Sequence, residues 1–287
     1  MSTEGNTFSS EAQLLVAPLE HLINRGGIEV PMLPEVANKA LLLAQNSESD
    51  ASEMAQLIQS DQSLAGHVMR IANSVAYTPM SNLVSLQQAI ARLGMGAISE
   101  IALAAAIGAK MFNTPGYEKY VAGVWHHALA TSLWAKEVAR HCRSNVEVAF
   151  LAGLLHSIGR PAILQTIIEL AKQQQVDLTE QDIHQLENTY CHRVSEAVVN
   201  VWKMPTLVIE AVSTYTDYNN ALKTSAQAAQ VTIGARFASY MLTPEKLDKE
   251  TLFMLPALTT LNLYQDEVDN LLNQTDVIKA RLEGLSS

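Results

Sequence analysis

The stretch LIQSDQSLAGHVMRIANSVAY, residues 57–77, decides the fold class. A helix runs through Val68, Ile71 and Ala72 and then meets Asn73 and Ser74. Those two side chains compete with the backbone for hydrogen bonds and so suit a helix end. Upstream, SDASEMAQLI puts Asp50 three residues before Glu53, a reciprocal cap that opens a helix. Downstream, VSLQQAIARLG repeats the device with Ser85 and Gln88 and stops at Gly94, a residue suited to a left-handed exit. Thr179 opens another helix in DLTEQDIHQL, and LTPEKL offers Thr243 as a cap with Pro244 at the first helical position.

Working outward, almost every segment has helical period, and alternating β-branched runs are nearly absent. The pattern predicts helices over 10–24, 35–46, 51–59, 62–72, 86–93, 96–112, 118–142, 146–158, 161–175, 180–186, 189–203, 206–216, 224–242, 245–255 and 265–283. Short breaks fall at Gly26–Gly27, at NTPG (113–116) and at DYNN (217–220). The expectation is an all-α protein, a bundle of short N-terminal helices packed on a longer helical core.

Composition narrows the function. The chain has 287 residues, 48% hydrophobic and 17% charged, enough to build a core and unlike a disordered or coiled-coil chain. A net charge of −10 argues against extended nucleic-acid binding, which needs a basic face. The two cysteines, Cys142 and Cys191, have no metal or redox spacing, so a reducing cytoplasm is the simpler setting. The N-terminal stretch lacks the features of a secretory signal. The longest uncharged run, 251–265, is interrupted by Pro256 and Asn262 and is too short for a membrane span.

The motifs LPEVANKALLLAQ (33–45), the stretch at 57–77 and SLQQAIARLG (85–94) follow one another at tight spacing. VWHHALATSLWA (124–135), AFLAGLLHSIGR (149–160) and ENTYCHRVSEAVVNVWKMP (187–205) continue the series. In this order they resemble the HDOD domain, a relative of the HD metal phosphohydrolases, from about residue 23 to about 216. One departure is Gln62, where a proline commonly follows the acidic residue. The resemblance implies an HD-like helical core and a bacterial, non-catalytic signalling module. The expected organisation is an N-terminal extension (1–22), an HDOD domain (23–220, its halves meeting near 112) and a C-terminal helical extension (221–287).

Active HD enzymes hold metal with a histidine, a His-Asp pair and a later aspartate. On the resemblance the first histidine falls at His127, with His126 beside it. The second falls at His156, and a third, used by the two-metal HD-GYP branch, at His192. The acids are missing. Ser157 stands where the pair's aspartate belongs, a paired-histidine position lands on TYT (214–216), and Arg236 stands at the late aspartate. No acidic residue occurs from Ala221 to Leu242. Replacing an anionic ligand by a hydroxyl removes several kcal/mol of metal attraction in a dry site. The expectation is therefore no metal, no cofactor and no catalytic residue. Three imidazoles could still hold zinc, and a phosphohydrolase or cyclic-dinucleotide phosphodiesterase using His127, His156 and His192 is the alternative. More simply, His127 and His156 are core histidines bonded to each other, to Ser157 or to backbone.

Other residues are weighed the same way. Asp61, Arg70 and Asn73 suit a cap and a local ion pair better than a pocket, and Trp125 suits a core or interface. Arg160 either binds an anion or pairs with a nearby acid; with Arg236 it could hold a nucleotide or another anion without hydrolysis. The last helix sets Val268, Leu271, Leu272, Ile278, Leu282 and Leu285 on one face, for packing on the same domain or for a partner helix or homo-oligomer. The expected partner is a protein in a signalling pathway.

Overall fold

In the computed structural model, which describes residues 8–78, 83–108 and 111–286, the chain folds as helices alone, with no strand among those residues. The first helix, α1 (Ser10–Arg25), is followed by a cluster of α2 (Glu35–Gln45), α3 (Ala51–Gln59), α4 (Gln62–Ala72), α5 (Leu86–Leu93) and α6 (Met95–Ala106). A longer series begins with α7 (Glu118–His141) and continues through α8 (Val146–Leu155), α9 (Gly159–Gln174), α10 (Glu180–Val201), α11 (Thr206–Thr214) and α12 (Ser225–Leu242). Four short helices close the chain: α13 (Lys249–Phe253), α14 (Pro256–Thr260), α15 (Gln265–Leu272) and α16 (Thr275–Ser286).

Most of the expected caps form. Asp50 and Glu53 make the reciprocal box and Thr179 makes another with Asp182; the Ser85 hydroxyl accepts the Gln88 N–H at 3.2 Å, but the Gln88 side chain accepts the Val84 N–H, so that box is not reciprocal. Asp61 caps α4 by accepting the Leu64 N–H. Asn73 does more than end that helix: its amide donates to the Leu83 carbonyl and accepts the Leu83 N–H, clamping the chain that enters α5. Gly94 has φ +85° but ψ 158°, so it is no simple left-handed exit. It ends α5 and opens α6 at once, and the chain bends there by 117°.

Four expectations are corrected. The segments 180–186 and 189–203 are one helix, because Leu186, Tyr190 and Val194 continue one buried stripe through Asn188. Thr243 and Pro244 open no helix; Asp248 caps α13 instead, and Pro256 starts α14. The final helix breaks at Asn273 and Gln274 into α15 and α16. The segment expected as 96–112 leaves its helix at Ala106, and residues 109–110 within it lie outside the described residues.

Helix α7 is the axis of the larger part, packed against α8, α12 and α16. Its partners come unusually close because two glycines face its backbone. A Cβ at Gly153 on α8 would lie 2.8 Å from the Ser132 Cα, and one at Gly234 on α12 would lie 2.8 Å from the Ala135 nitrogen. These approaches bring His127, the end of α8 and the middle of α12 to one place. The N-terminal cluster joins this part through α6, where Lys136 donates to the buried Glu100, and through α1, which packs on α9 and α10. Along α15 and α16, Val268, Leu271, Ile278, Leu282 and Leu285 are buried and Leu272 is half-buried, so the amphipathic tail covers its own domain. The run Val146–Gln174 is long and apolar enough to cross a membrane, but 83% of its most apolar window is buried inside the fold.

Because Gly234 touches backbone rather than a flexible side-chain end, a methyl there cannot be absorbed locally. Gly234→Ala is expected to lower stability by about 1–3 kcal/mol, read as a lower urea midpoint with unchanged far-UV circular dichroism.

Candidate functional site

A cleft of about 550 Å³ opens where α7, α9, α10 and α12 converge, and His127, His156, Ser157, Arg160, Tyr215 and Ser239 line it. Each histidine has a definite state. The His127 Nε2 lies 3.0 Å from the Ser239 hydroxyl, and that hydroxyl donates its only proton to the Ala235 carbonyl. With its proton there, Ser239 accepts, which assigns the His127 proton to Nε2. The lone pair is on Nδ1, 3.4 Å from the Thr131 hydroxyl on the same helix. Burial holds His127 below the usual imidazole range.

His156 sits where α8 stops. Its Nδ1 donates to the Gly153 carbonyl at 2.7 Å, leaving Nε2 as the acceptor. Burial, reinforced by His127, pushes its pKa down to about 3. The turn that carries it is locked from α10. The Ser195 hydroxyl donates to the His156 carbonyl and accepts the Gly159 N–H, and a Cβ at Gly159 would lie 2.5 Å from the Cys191 carbonyl. The next residue, Ser157, is 5% exposed and its hydroxyl has no partner among the described residues.

His127 and His156 are not bonded to each other; their ring centroids are 6.2 Å apart. His192 is not in the cleft lining. The Tyr215 ring makes T-shaped contacts with both His156 (5.2 Å) and His192 (6.0 Å). Tyr215 is the middle residue of TYT (214–216), where the resemblance puts the paired-histidine position. His126 turns the other way, toward Ser286.

The arginines separate. Arg160 lines the cleft and donates to Glu187 at 3.2 Å and to Asn188 at 2.7 Å. Glu187 is fully buried and also accepts the Tyr120 hydroxyl, so one carboxylate ties α7, α9 and α10 together at the cleft's edge. Burial pushes the Glu187 carboxyl up. Arg236 is exposed and lines no part of the cleft, which corrects the expected register. Ser239, one helical turn further, is the α12 residue that reaches it. Lys119, Tyr120 and His184 also line the cleft and were not singled out from sequence. His184 and Glu187 lie three apart on α10, a spacing that shares a helix face, but nothing local marks that face as part of a cleft.

The donor set does not fit the metal of active HD enzymes. Ser157 is neutral, the His127 Nε2 is engaged with Ser239, His192 does not line the cleft, and no carboxylate lines it among the described residues. Those residues contain no group of three or more His, Cys, Asp or Glu able to hold a metal ion.

The HDOD domain model matches residues 30–218. The chain belongs to the HDOD family. Among solved structures, it is similar to a protein from Shewanella amazonensis SB2B provisionally named a metal-dependent phosphohydrolase, at 18% identity and TM-score 0.73, covering 96% of this chain and all of that one. It is also similar to an HDOD domain protein of unknown function from Geobacter sulfurreducens, at 20% identity and TM-score 0.72, covering 94% and 99%. A third, provisionally named a signal transduction protein, from Marinobacter aquaeolei VT8, shares 20% identity at TM-score 0.67, covering 100% of this chain and 69% of that one. At these identities the likeness shows the fold. No curated protein matches the chain.

The low pKa of His156 has a sign that can be checked. Its folded value, about 3, lies below the unfolded value of 6.5. The unfolded chain therefore binds the extra proton first as pH falls. The full contribution to stability is present above pH 6.5 and is lost toward pH 3, with a slope of at most about 1.4 kcal/mol per unit. His156→Asn keeps a donor for the Gly153 carbonyl and removes the titration. Urea denaturation from pH 7 to 5 is expected to show a steeper loss for the parent than for this variant; parallel slopes contradict a buried neutral His156.

Proposed function

We propose that this HDOD protein is a non-catalytic regulatory module that works in bacterial signalling by binding a protein partner or a small ligand. The observation that carries the reading is a cleft lined by the imidazoles of His127 and His156 and the hydroxyl of Ser157, and by no carboxylate among the described residues. Hydrolysis of a phosphate ester at neutral pH by this family's chemistry needs a metal-bound water with a pKa near 7. Here the position that would give an anion gives a hydroxyl, and the His127 Nε2 is engaged with Ser239. The protein name carried by the Marinobacter relative agrees with a signalling role.

A metal-dependent phosphohydrolase is the second reading. It is favoured by the recurrence of His127, His156 and His192, and by the name carried by one Shewanella relative. Elemental analysis of chelator-free protein, followed by turnover of bis(p-nitrophenyl) phosphate with added manganese, separates the two. The regulatory reading expects substoichiometric metal and a rate equal to the blank. Stoichiometric metal with turnover abolished in His156→Ala establishes the enzyme instead.

A further inference from the structure

We propose that the cleft binds a small organic phosphate that also carries hydroxyl or amino donors, namely a sugar phosphate with or without an attached base. The inference deepens the regulatory reading and rests on it only for the claim that the ligand leaves unchanged.

The first argument is charge. The chain holds 29 acidic against 19 basic residues, yet no carboxylate lines this cleft among the described residues, while Lys119 and Arg160 do. A concave site lined by one sign of charge concentrates ligands of the other. A guanidinium offers a planar fork matched to phosphate oxygens. The Arg160 fork already serves Glu187 and Asn188, so an incoming phosphate competes with Glu187 for it. Binding is thereby coupled to the contact between α9 and α10.

The second argument is the unsatisfied polar floor. The Ser157 hydroxyl is buried at the cleft lining without a partner among the described residues, and a group so placed carries a desolvation cost. A ligand oxygen or nitrogen that displaces the lining enough to reach it gives it one. Beside it, neutral His156 has Nδ1 engaged with Gly153, so its remaining nitrogen calls for a ligand donor. Inorganic phosphate keeps one or two P–OH protons at neutral pH, so a bare ion is disfavoured by its small size and not by want of a donor. The cleft's volume, about 550 Å³, suits a drug-sized organic molecule rather than a single ion. Tyr215 lines the cleft and offers an aromatic contact for a base.

Isothermal titration calorimetry of the full chain with ribose 5-phosphate and adenosine 5′-monophosphate tests this, with inorganic phosphate and ribose alongside. One-site binding of at least one ester is expected, about tenfold or more tighter than either fragment. Tighter binding of the nucleotide than of the sugar phosphate supports the proposal and assigns the base to the Tyr215 contact. Ser157→Ala removes only an unpartnered hydroxyl, so it is expected to keep the parent's melting temperature while weakening binding about tenfold, one hydrogen bond's worth. Lys119→Gln, at an exposed position, is expected to weaken it likewise. Glu187→Gln is expected to tighten it by ending the competition for Arg160. No binding of either ester overturns the proposal, as does inorganic phosphate binding equally well, or unchanged affinity in both Ser157→Ala and Lys119→Gln. Phosphorus NMR of the incubated ligand separates this inference from the regulatory reading. An intact ester agrees with both, and released phosphate keeps the ligand class while contradicting the non-catalytic reading. Absent binding removes this inference and leaves that reading in place.

Discussion

The hydrogen bond from His127 to Ser239 sets the character of the cleft. Ser239 has one proton and gives it to the Ala235 carbonyl, as a helical serine commonly does. The imidazole must then donate, and its tautomer is fixed from α12. Burial of His127 disfavours the doubly protonated ring, so the nitrogen facing α12 bears a hydrogen and the other faces its own helix. A metal site at the same place needs a bare nitrogen turned to the cation, with anionic oxygen on the cation's other side. On α12 that nitrogen instead meets a seryl hydroxyl, a contact between two helices that a glycine lets approach closely.

The rest of the cleft follows the same logic of neutral or self-satisfied groups. His156 is held by the carbonyl three residues earlier and by a turn that Ser195 and Gly159 fasten to α10. Tyr215 makes T-shaped contacts with both His156 and the third histidine. The cation–carboxylate pair at the edge, Arg160 with Glu187, ties helices together. What remains open is a concave surface that carries two cations and no carboxylate among the described residues.

Much of this was legible in the sequence, because it is local. The caps at Asp50, Asp61, Ser85 and Thr179 depend on residues within four positions, and each formed. The missing aspartate at Ser157 needed only the motif around it. The errors arose where local signals were weak or tertiary packing overrode them. Asn188 and Thr189 are poor helix formers, yet α10 runs through them because its buried stripe continues on both sides. Thr243–Pro244 has the chemistry of a helix start but lies in a turn. Arg236 missed the cleft by one turn, since α12 carries no motif strong enough to set its register. Tyr120 and Glu187 meet across 67 positions of sequence, a pairing no single-chain periodicity reveals.

Nitrogen-15 NMR of the histidine side chains, with and without added zinc or manganese at neutral pH, measures the central claim at its source. The account predicts a neutral His127 protonated on Nε2 and a neutral His156 protonated on Nδ1, neither responding to metal. A His127 bare at Nε2 whose resonance shifts or broadens at stoichiometric metal contradicts it.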